Sequence, residues 1–521
     1  MRAFNVGGVC EPERHYMLPP EPRIPGARAY VDRWDYFVVH APRQTGKTTT
    51  IRALARHLTA EGRHAALAAS CERAGEVGDD IGAASAEVLE SIRNAAARQL
   101  PERLQPPAGW PDAPPGSRIF TALQDWALAC PLPLVLLLDE IDSMRGPVLR
   151  SVLRQLRDGH QYRANAFPAS VVLCGMRDVR DYKAASGGNP DRLSGPSPFN
   201  VAVDSIRIGD FTPDEVAVLY AQHTAETGQE FTPEAVERAF GYSQGQPWLV
   251  NAIAREIVDP EKMAIGVPVT AGHVDTAKER LIGERAFHLD SLADKLREPR
   301  VKRFIEPLLA GTGIGRDDAY NDDLQYVRDL GLIARDAPIR VANPVYREVI
   351  VRSLTEGVQE QVTLSPQGFL LPDGRIDFRM LLEEFADWWV ANGEFMTRTE
   401  VYHEAAAQLI FMGFLQRIVN GGGFVDREYG VGSGRTDILV RKPYGDRQVQ
   451  REAIELKAWS KGKEPLGQGL RQLDRYLDQL RLDTGTLIIF DRREDAPDIA
   501  ERTAFSKETS PAGREITLLR A

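Results

Sequence analysis

Apolar and polar positions alternate along the chain in two distinct rhythms. Through residues 1–205, short apolar runs are separated by helical stretches. Tyr36–His40 (YFVVH), His64–Ser70, Leu134–Leu138 and Val171–Cys174 read as buried strands, with Phe199–Val203 a fifth. Thr48–Leu58 reads as a helix. Buried strands alternating with helices predict a parallel sheet covered on both faces. Two irregular stretches interrupt it, at 101–116 and 184–198, both rich in turn residues.

Residues 206–265 read as helical. Thr212-Pro213-Asp214-Glu215 predicts a capped helix start, and Phe231-Thr232-Pro233 repeats the signal. Residues 266–360 continue mostly helical and close on a helix, LGLI, a turn and IRVAN, the pattern of a winged helix. A linker with the amphipathic helix Phe378–Val390 spans 361–395; Phe385, Trp388 and Trp389 are its expected core. Residues 396–521 begin with a helix over Glu400–Asn420, stopped by three glycines. Strands follow at Phe424–Tyr429, Asp437–Val440 and Ala453–Lys457, then a helix at Gly469–Leu480 and a strand at Thr486–Phe490. The expected fold class is a multidomain α/β chain. Its parts are a phosphate-loop sheet domain (1–205), a helical lid (206–265), a winged-helix-like domain (266–360), a linker (361–395) and a C-terminal α/β domain (396–521).

Composition narrows the class. The chain has 521 residues, 43% hydrophobic and 26% charged, which suits roughly three or four globular domains. Its net charge of −10 argues against a surface that wraps duplex nucleic acid everywhere. The stretch 391–521 is close to neutral. Cys10, Cys71, Cys130 and Cys174 form no CxxC pair, so neither a disulfide framework nor a zinc site is expected, and a reducing cytoplasm fits. No signal peptide or membrane span is expected, because the longest apolar runs fall far short of the roughly 20 residues a bilayer needs.

Two segments carry chemistry. APRQTGKT at 41–48 follows a strand and opens a helix, the setting a phosphate-binding loop requires. Backbone N–H groups of Gln44, Thr45, Gly46, Lys47 and Thr48, with Thr49 behind them, would cradle phosphates. Lys47 would reach the outer phosphates, and the Thr48 hydroxyl would hold Mg²⁺. Ala41 stands where the pattern has glycine. LVLLLDEID at 134–142 is an apolar strand ending in two acids: Asp139 would hold Mg²⁺ and Glu140 would polarise the attacking water. Arg177, at the tip of the SVVLCG strand, is a candidate for sensing the terminal phosphate. Arg43 would approach phosphate or a neighbouring subunit of a homo-oligomer.

The second segment is C-terminal. Asp437 begins the strand DILV, and Glu455-Leu-Lys457 lies on AIELK. Carboxylates that hold Mg²⁺ or Mn²⁺ beside a lysine are the set phosphodiester hydrolysis needs. Glu404 lies in the preceding helix. Gln472 and Tyr476, four apart, share a face of the following one. Lys461, Lys463, Arg471 and Arg475 are candidate phosphate contacts.

Through APRQTGKTT, LLLDEID and SQGQPWLVN, residues 10–355 resemble the AAA-like ATPases of the STAND and archaeal-ATPase group. The resemblance implies ATP as ligand, a Gly245-Gln246-Pro247 turn near the nucleotide, and base contacts around His15-Tyr16-Met17-Leu18-Pro19-Pro20. Residues 400–495 resemble the PD-(D/E)xK nuclease superfamily, and the Gln472–Tyr476 pair resembles the QxxxY motif of its RecB-like branch. That resemblance implies a metal-dependent nuclease whose Gln472 and Tyr476 support the active site and the nucleic-acid strand. The combined expectation is an ATP-dependent or ATP-regulated nuclease acting on DNA, with RNA left open and defence or mobile-element biology as the setting. The rival expectation is an ATP-driven switch or scaffold that binds DNA without cutting.

Overall fold

The computed structural model describes residues 2–163, 165–177, 199–259, 266–284, 288–289, 292, 295–296, 298–310, 322–336, 338–354, 366–398, 406–419, 424–431, 434–445, 448–459, 464–491, 493 and 495–521. They form two compact units, one of residues 1–284 with 318–335 and one of 285–317 with 336–521. The stretch 266–360, read above as one domain, is shared between them. No helix among the described residues is long and apolar enough to cross a membrane. All four cysteines are free.

The first unit is built on β1 (Tyr36–His40), β2 (Ala65–Ser70), β3 (Leu134–Asp139), β4 (Ser170–Gly175) and β5 (Ala202–Arg207), in the order β2-β3-β4-β1-β5. Every pairing is parallel. Strands β1, β3 and β4 are buried at every position, as continuous apolar runs require when helices cover both faces. One face packs Leu67, Leu136 and Leu138 against Ile92, Trp126 and Leu153. These come from α2 (Ile81–Gln99), α3 (Arg118–Ala129) and α4 (Gly146–Gly159). The other face packs Val39, Leu137 and Val172 against Ile51, Leu54 and Leu58 of α1 (Lys47–Ala60). Each such fully buried side chain contributes about 1.5–3 kcal/mol.

Strand β5 starts at Ala202 rather than Phe199, because the ladder to β1 begins at Tyr36↔Ala202. Phe199 instead joins the core beside β1, its ring stacked with that of Tyr36. Segment 184–198 lies outside the described residues. The stretch expected as a lid, 206–265, holds α5 (Pro213–Thr227), α6 (Pro233–Ser243) and α7 (Pro247–Val258), and α8 (Ala271–Gly283) follows it. The expected capping box closes α5: Glu215 N–H donates to Thr212 Oγ1 and Thr212 N–H to Glu215 Oε2. Among the described residues of the expected wing, the segments LGLI and IRVAN hold single bridge positions, at Ile333 and Val341, and no longer strand.

The second unit holds β6 (Phe424–Val431), β7 (Gly434–Tyr444), β8 (Gln448–Trp459), β9 (Thr484–Asp491), β10 (Ala504–Thr509) and β11 (Glu515–Arg520), in the order β10-β11-β9-β8-β7-β6. Strands β6, β7 and β8 form an antiparallel meander. Helix α11 (Leu466–Leu480) then crosses to β9, which is parallel to β8. Two earlier helices, α9 (Phe378–Arg398) and α10 (Ala406–Val419), precede the sheet.

Leu473 and Leu477 of α11 pack on Leu439, Leu487 and Ile489. Gly469 allows that close approach: a Cβ there would stand 2.7 Å from Leu487 Cδ1. Phe385 and Trp389 are buried as expected, against Phe411, Phe414 and Phe490. The pair β10–β11, which the sequence reading omitted, extends the sheet beyond β9.

Candidate functional site

Parallel pairing brings the C-terminal ends of β1, β4 and β3 to one edge of the first sheet, where ligands of open α/β sheets bind. The loop after β1 turns into α1 through two residues of positive φ, Gln44 at 58° and Gly46 at 87°. Glycine takes that conformation without strain. Ala41 is fully buried, and its N–H donates to the Gly175 carbonyl at 3.2 Å. A small residue is therefore what the position requires, and alanine meets it.

Lys47 Nζ donates to the carbonyls of Ala41 (2.9 Å) and Pro42 (2.8 Å). The ammonium is thus folded against its own loop, and burial pulls its pKa below the ordinary lysine value. Thr48 Oγ1 donates to Asp139 Oδ2 at 2.6 Å, so the two expected Mg²⁺ ligands, 91 residues apart, meet. A hydroxyl beside a carboxylate is an oxygen donor set that suits a hard cation. The Thr49 hydroxyl accepts from the Cys10 backbone N–H at 3.1 Å, and Thr45 donates to the Pro42 carbonyl at 2.9 Å. Arg43 is exposed.

Glu140 follows Asp139 with φ 54°, and its N–H donates to Asp139 Oδ1 at 3.0 Å. Its Oε2 accepts from Ser70 Oγ, at the end of β2, at 2.7 Å. Burial raises the Glu140 pKa; the Ser70 hydrogen bond opposes that, and Asp139 adds to it. Arg177 lies with its guanidinium over the Tyr326 ring, 4.1 Å from the centroid. Asp142 accepts from the Met176 backbone N–H at 3.3 Å.

A pocket of about 150 Å³ opens beside the loop. Its walls are the amino-terminal segment from Asn5, the loop at Gln44–Gly46 and the lid residues Phe211, Pro247, Trp248 and Asn251. Tyr16, Met17, Leu18 and Pro20 line it, and His15 does not. Trp248 Nε1 donates to the Val6 carbonyl at 2.9 Å, joining lid and amino-terminal segment. Gly245, in the GQP turn, has φ 78°, and a Cβ there would stand 1.9 Å from the Phe211 carbonyl oxygen. Sequence reasoning missed Ser70, Phe211 and Asn251.

The second unit gathers the other set. On β8, Glu455 is 1% exposed and accepts from Lys457 Nζ at 2.6 Å. Ile438 of β7 pairs with Ile454 of β8, and one antiparallel step further puts the backbone of Asp437 across from Glu455. Helix α11 covers that face. Tyr476 on it is buried, and Gln472 Oε1 is buried without a hydrogen-bond partner. Arg471 and Arg475 are exposed. Glu404, Lys461 and Lys463 lie outside the described residues. Among the described residues, no group of three or more His, Cys, Asp or Glu side chains is placed to hold a metal ion.

Residues 35–182 match the family model of the AAA domain. No curated protein matches the chain. Among solved structures, it is similar to a Walker-type ATPase of Pyrococcus abyssi, at 14% identity and TM-score 0.44, over 67% of this chain and 99% of that one. It is also similar to the RuvB Holliday junction branch migration motor of Thermotoga maritima, at 16% identity and TM-score 0.34, over 62% and 90%. A third is the ORC1 protein of Aeropyrum pernix in complex with DNA, at 12% identity and TM-score 0.34, over 63% and 91%.

Proposed function

We propose that this chain, whose residues 35–182 form an AAA-type P-loop ATPase domain, is an ATP-regulated, metal-dependent nuclease acting on DNA. The observation that carries the second half is the Glu455–Lys457 pair. It is a buried carboxylate and an ammonium two residues apart on one face of β8, with the backbone of Asp437 across the ladder from Glu455. Burying a charge is costly unless it is paired, and an acid–base pair on an interior strand beneath a helix is an arrangement that chemistry explains.

In the ATPase site, the loop N–H groups and Lys47 bind the phosphates. Thr48 and Asp139 would hold Mg²⁺, which would offset phosphate charge. Glu140 orients and deprotonates the attacking water once it leaves Ser70. The pocket lined by Tyr16, Pro247 and Trp248 takes the base. In the nuclease site, Asp437 and Glu455, supported by Glu404, would hold Mg²⁺ or Mn²⁺, which would supply phosphate polarisation and an acidified water. Lys457 stabilises the charge that develops on the phosphate. Gln472 and Tyr476 orient the site and the strand.

The test incubates the full chain with circular and linear plasmid DNA and Mg²⁺ or Mn²⁺. Wild type cuts, and Lys457→Ala and Glu455→Ala do not. Equal cutting by all three would remove the nuclease reading.

A further inference from the structure

The helix-covered face of the second sheet carries one more charged group. Strand residues alternate between faces, so Glu455, Lys457 and Trp459 lie on one side of β8. The Trp459 indole packs against the cluster beneath α11. Trp459 stands in register with Asp491 of β9. Two residues on, Arg493 lays its guanidinium over the Trp459 ring, 3.7 Å from the centroid. Its Nε donates to Asp491 Oδ1 at 2.9 Å and its Nη2 to Asp491 Oδ2 at 2.7 Å. The Arg493 backbone N–H closes the clamp on Oδ1 at 3.2 Å.

This guanidinium is fixed by one face and one edge. Arginine has five N–H donors, and Asp491 takes two. The edge between Nη1 and Nη2 keeps its donors for another partner, in the planar fork that meets a phosphate with two parallel bonds. The side chain is 27% exposed. An ion pair this open contributes only about 0–1 kcal/mol to stability, so the fold gains little from holding the group so firmly.

We propose that Arg493, stacked on Trp459 and braced by Asp491, binds the phosphodiester backbone of a nucleic-acid strand beside the Glu455–Lys457 pair. The inference rests on the nuclease reading of that pair. Two strand residues span about 6.6 Å, so Arg493 meets a phosphate neighbouring the one at Lys457. A guanidinium contacting phosphate carries no base preference. Its contribution is position and salt-dependent affinity.

The experiment measures binding of a fluorescein-labelled single-stranded DNA by the full chain, with Ca²⁺ in place of Mg²⁺, across a salt series. Wild type, Arg493→Gln and Arg493→Lys are compared, with ATP hydrolysis and thermal melting as controls for folding. Arg493→Gln is expected to weaken binding about tenfold. It is also expected to lower the slope of log affinity against log salt by about 0.7, the value for one lost single-strand phosphate contact. Arg493→Lys is expected to recover the slope but only part of the affinity. An unchanged slope in Arg493→Gln, or no binding by wild type, overturns the proposal. Cleavage of the same DNA with Mg²⁺ is read separately. Arg493-dependent binding without any cutting keeps this proposal and removes the nuclease reading. Cutting indifferent to Arg493 does the reverse.

Discussion

Lys47 and Glu140 are both held by protein groups that nucleotide would have to replace. Lys47 rests on two loop carbonyls and Glu140 on the Ser70 hydroxyl. The Ser70 bond stabilises the charged carboxylate against burial. In Ser70→Ala that support is gone, and the Glu140 pKa rises further above the ordinary carboxylate value. A base must be ionised to accept a proton, so the acid limb of the ATPase pH profile moves to higher pH. A profile superimposable on wild type would separate Ser70 from the chemistry. Glu140→Gln removes the base while leaving the phosphate loop intact. It is expected to lower hydrolysis by about 10²–10⁴-fold with nucleotide affinity, read by fluorescent-nucleotide titration, little changed.

Elements position these residues, and Gly245 and Leu477 show how tightly. Gly245 combines positive φ with a carbonyl 1.9 Å from a would-be Cβ. Gly245→Ala therefore has to displace the lid turn, at a cost of about 1–3 kcal/mol in backbone strain alone. A lower melting temperature with weakened nucleotide binding is the expected result. Leu477→Ala on α11 empties a fully buried site and is expected to cost about 2–5 kcal/mol by denaturant unfolding. The strands and helices behind both residues were legible in the sequence. A buried strand such as YFVVH, followed by a turn and a capped helix, is a local signal.

What was not legible depends on distance or on faint patterning. β10 (AFSKET) is a partly exposed edge strand with alternating polar residues, and it has no apolar run to announce it. The wing was expected from a helix-turn pattern, and its two segments hold one bridge residue each, Ile333 and Val341. Ser70 reaches Glu140 across 70 positions, and the pocket joins residues near 5 to residues near 250. No spacing rule links such pairs. Arg177 was legible as a polar strand tip, but its stacking on Tyr326 came from a helix more than a hundred residues on. Lys47, Thr48 and Asp139 were found because their chemistry fixes both residue type and local setting. Glu455 and Lys457 were found for the same reason.

At the scale of the whole molecule, one chain carries a P-loop ATPase site in its first unit and a paired acid and lysine in its second. A net charge of −10 makes any DNA contact local, which suits a recessed site better than a broad surface. The central claim is that nucleotide at the first site controls cutting at the second. The most direct measurement follows plasmid cleavage by wild type, Lys47→Ala and Lys457→Ala, with Mg²⁺, with and without ATP. The account predicts that ATP changes the wild-type cutting rate, that Lys47→Ala cuts at one rate whether or not ATP is present, and that Lys457→Ala does not cut. Wild-type cutting indifferent to ATP, or cutting that survives in Lys457→Ala, would contradict it.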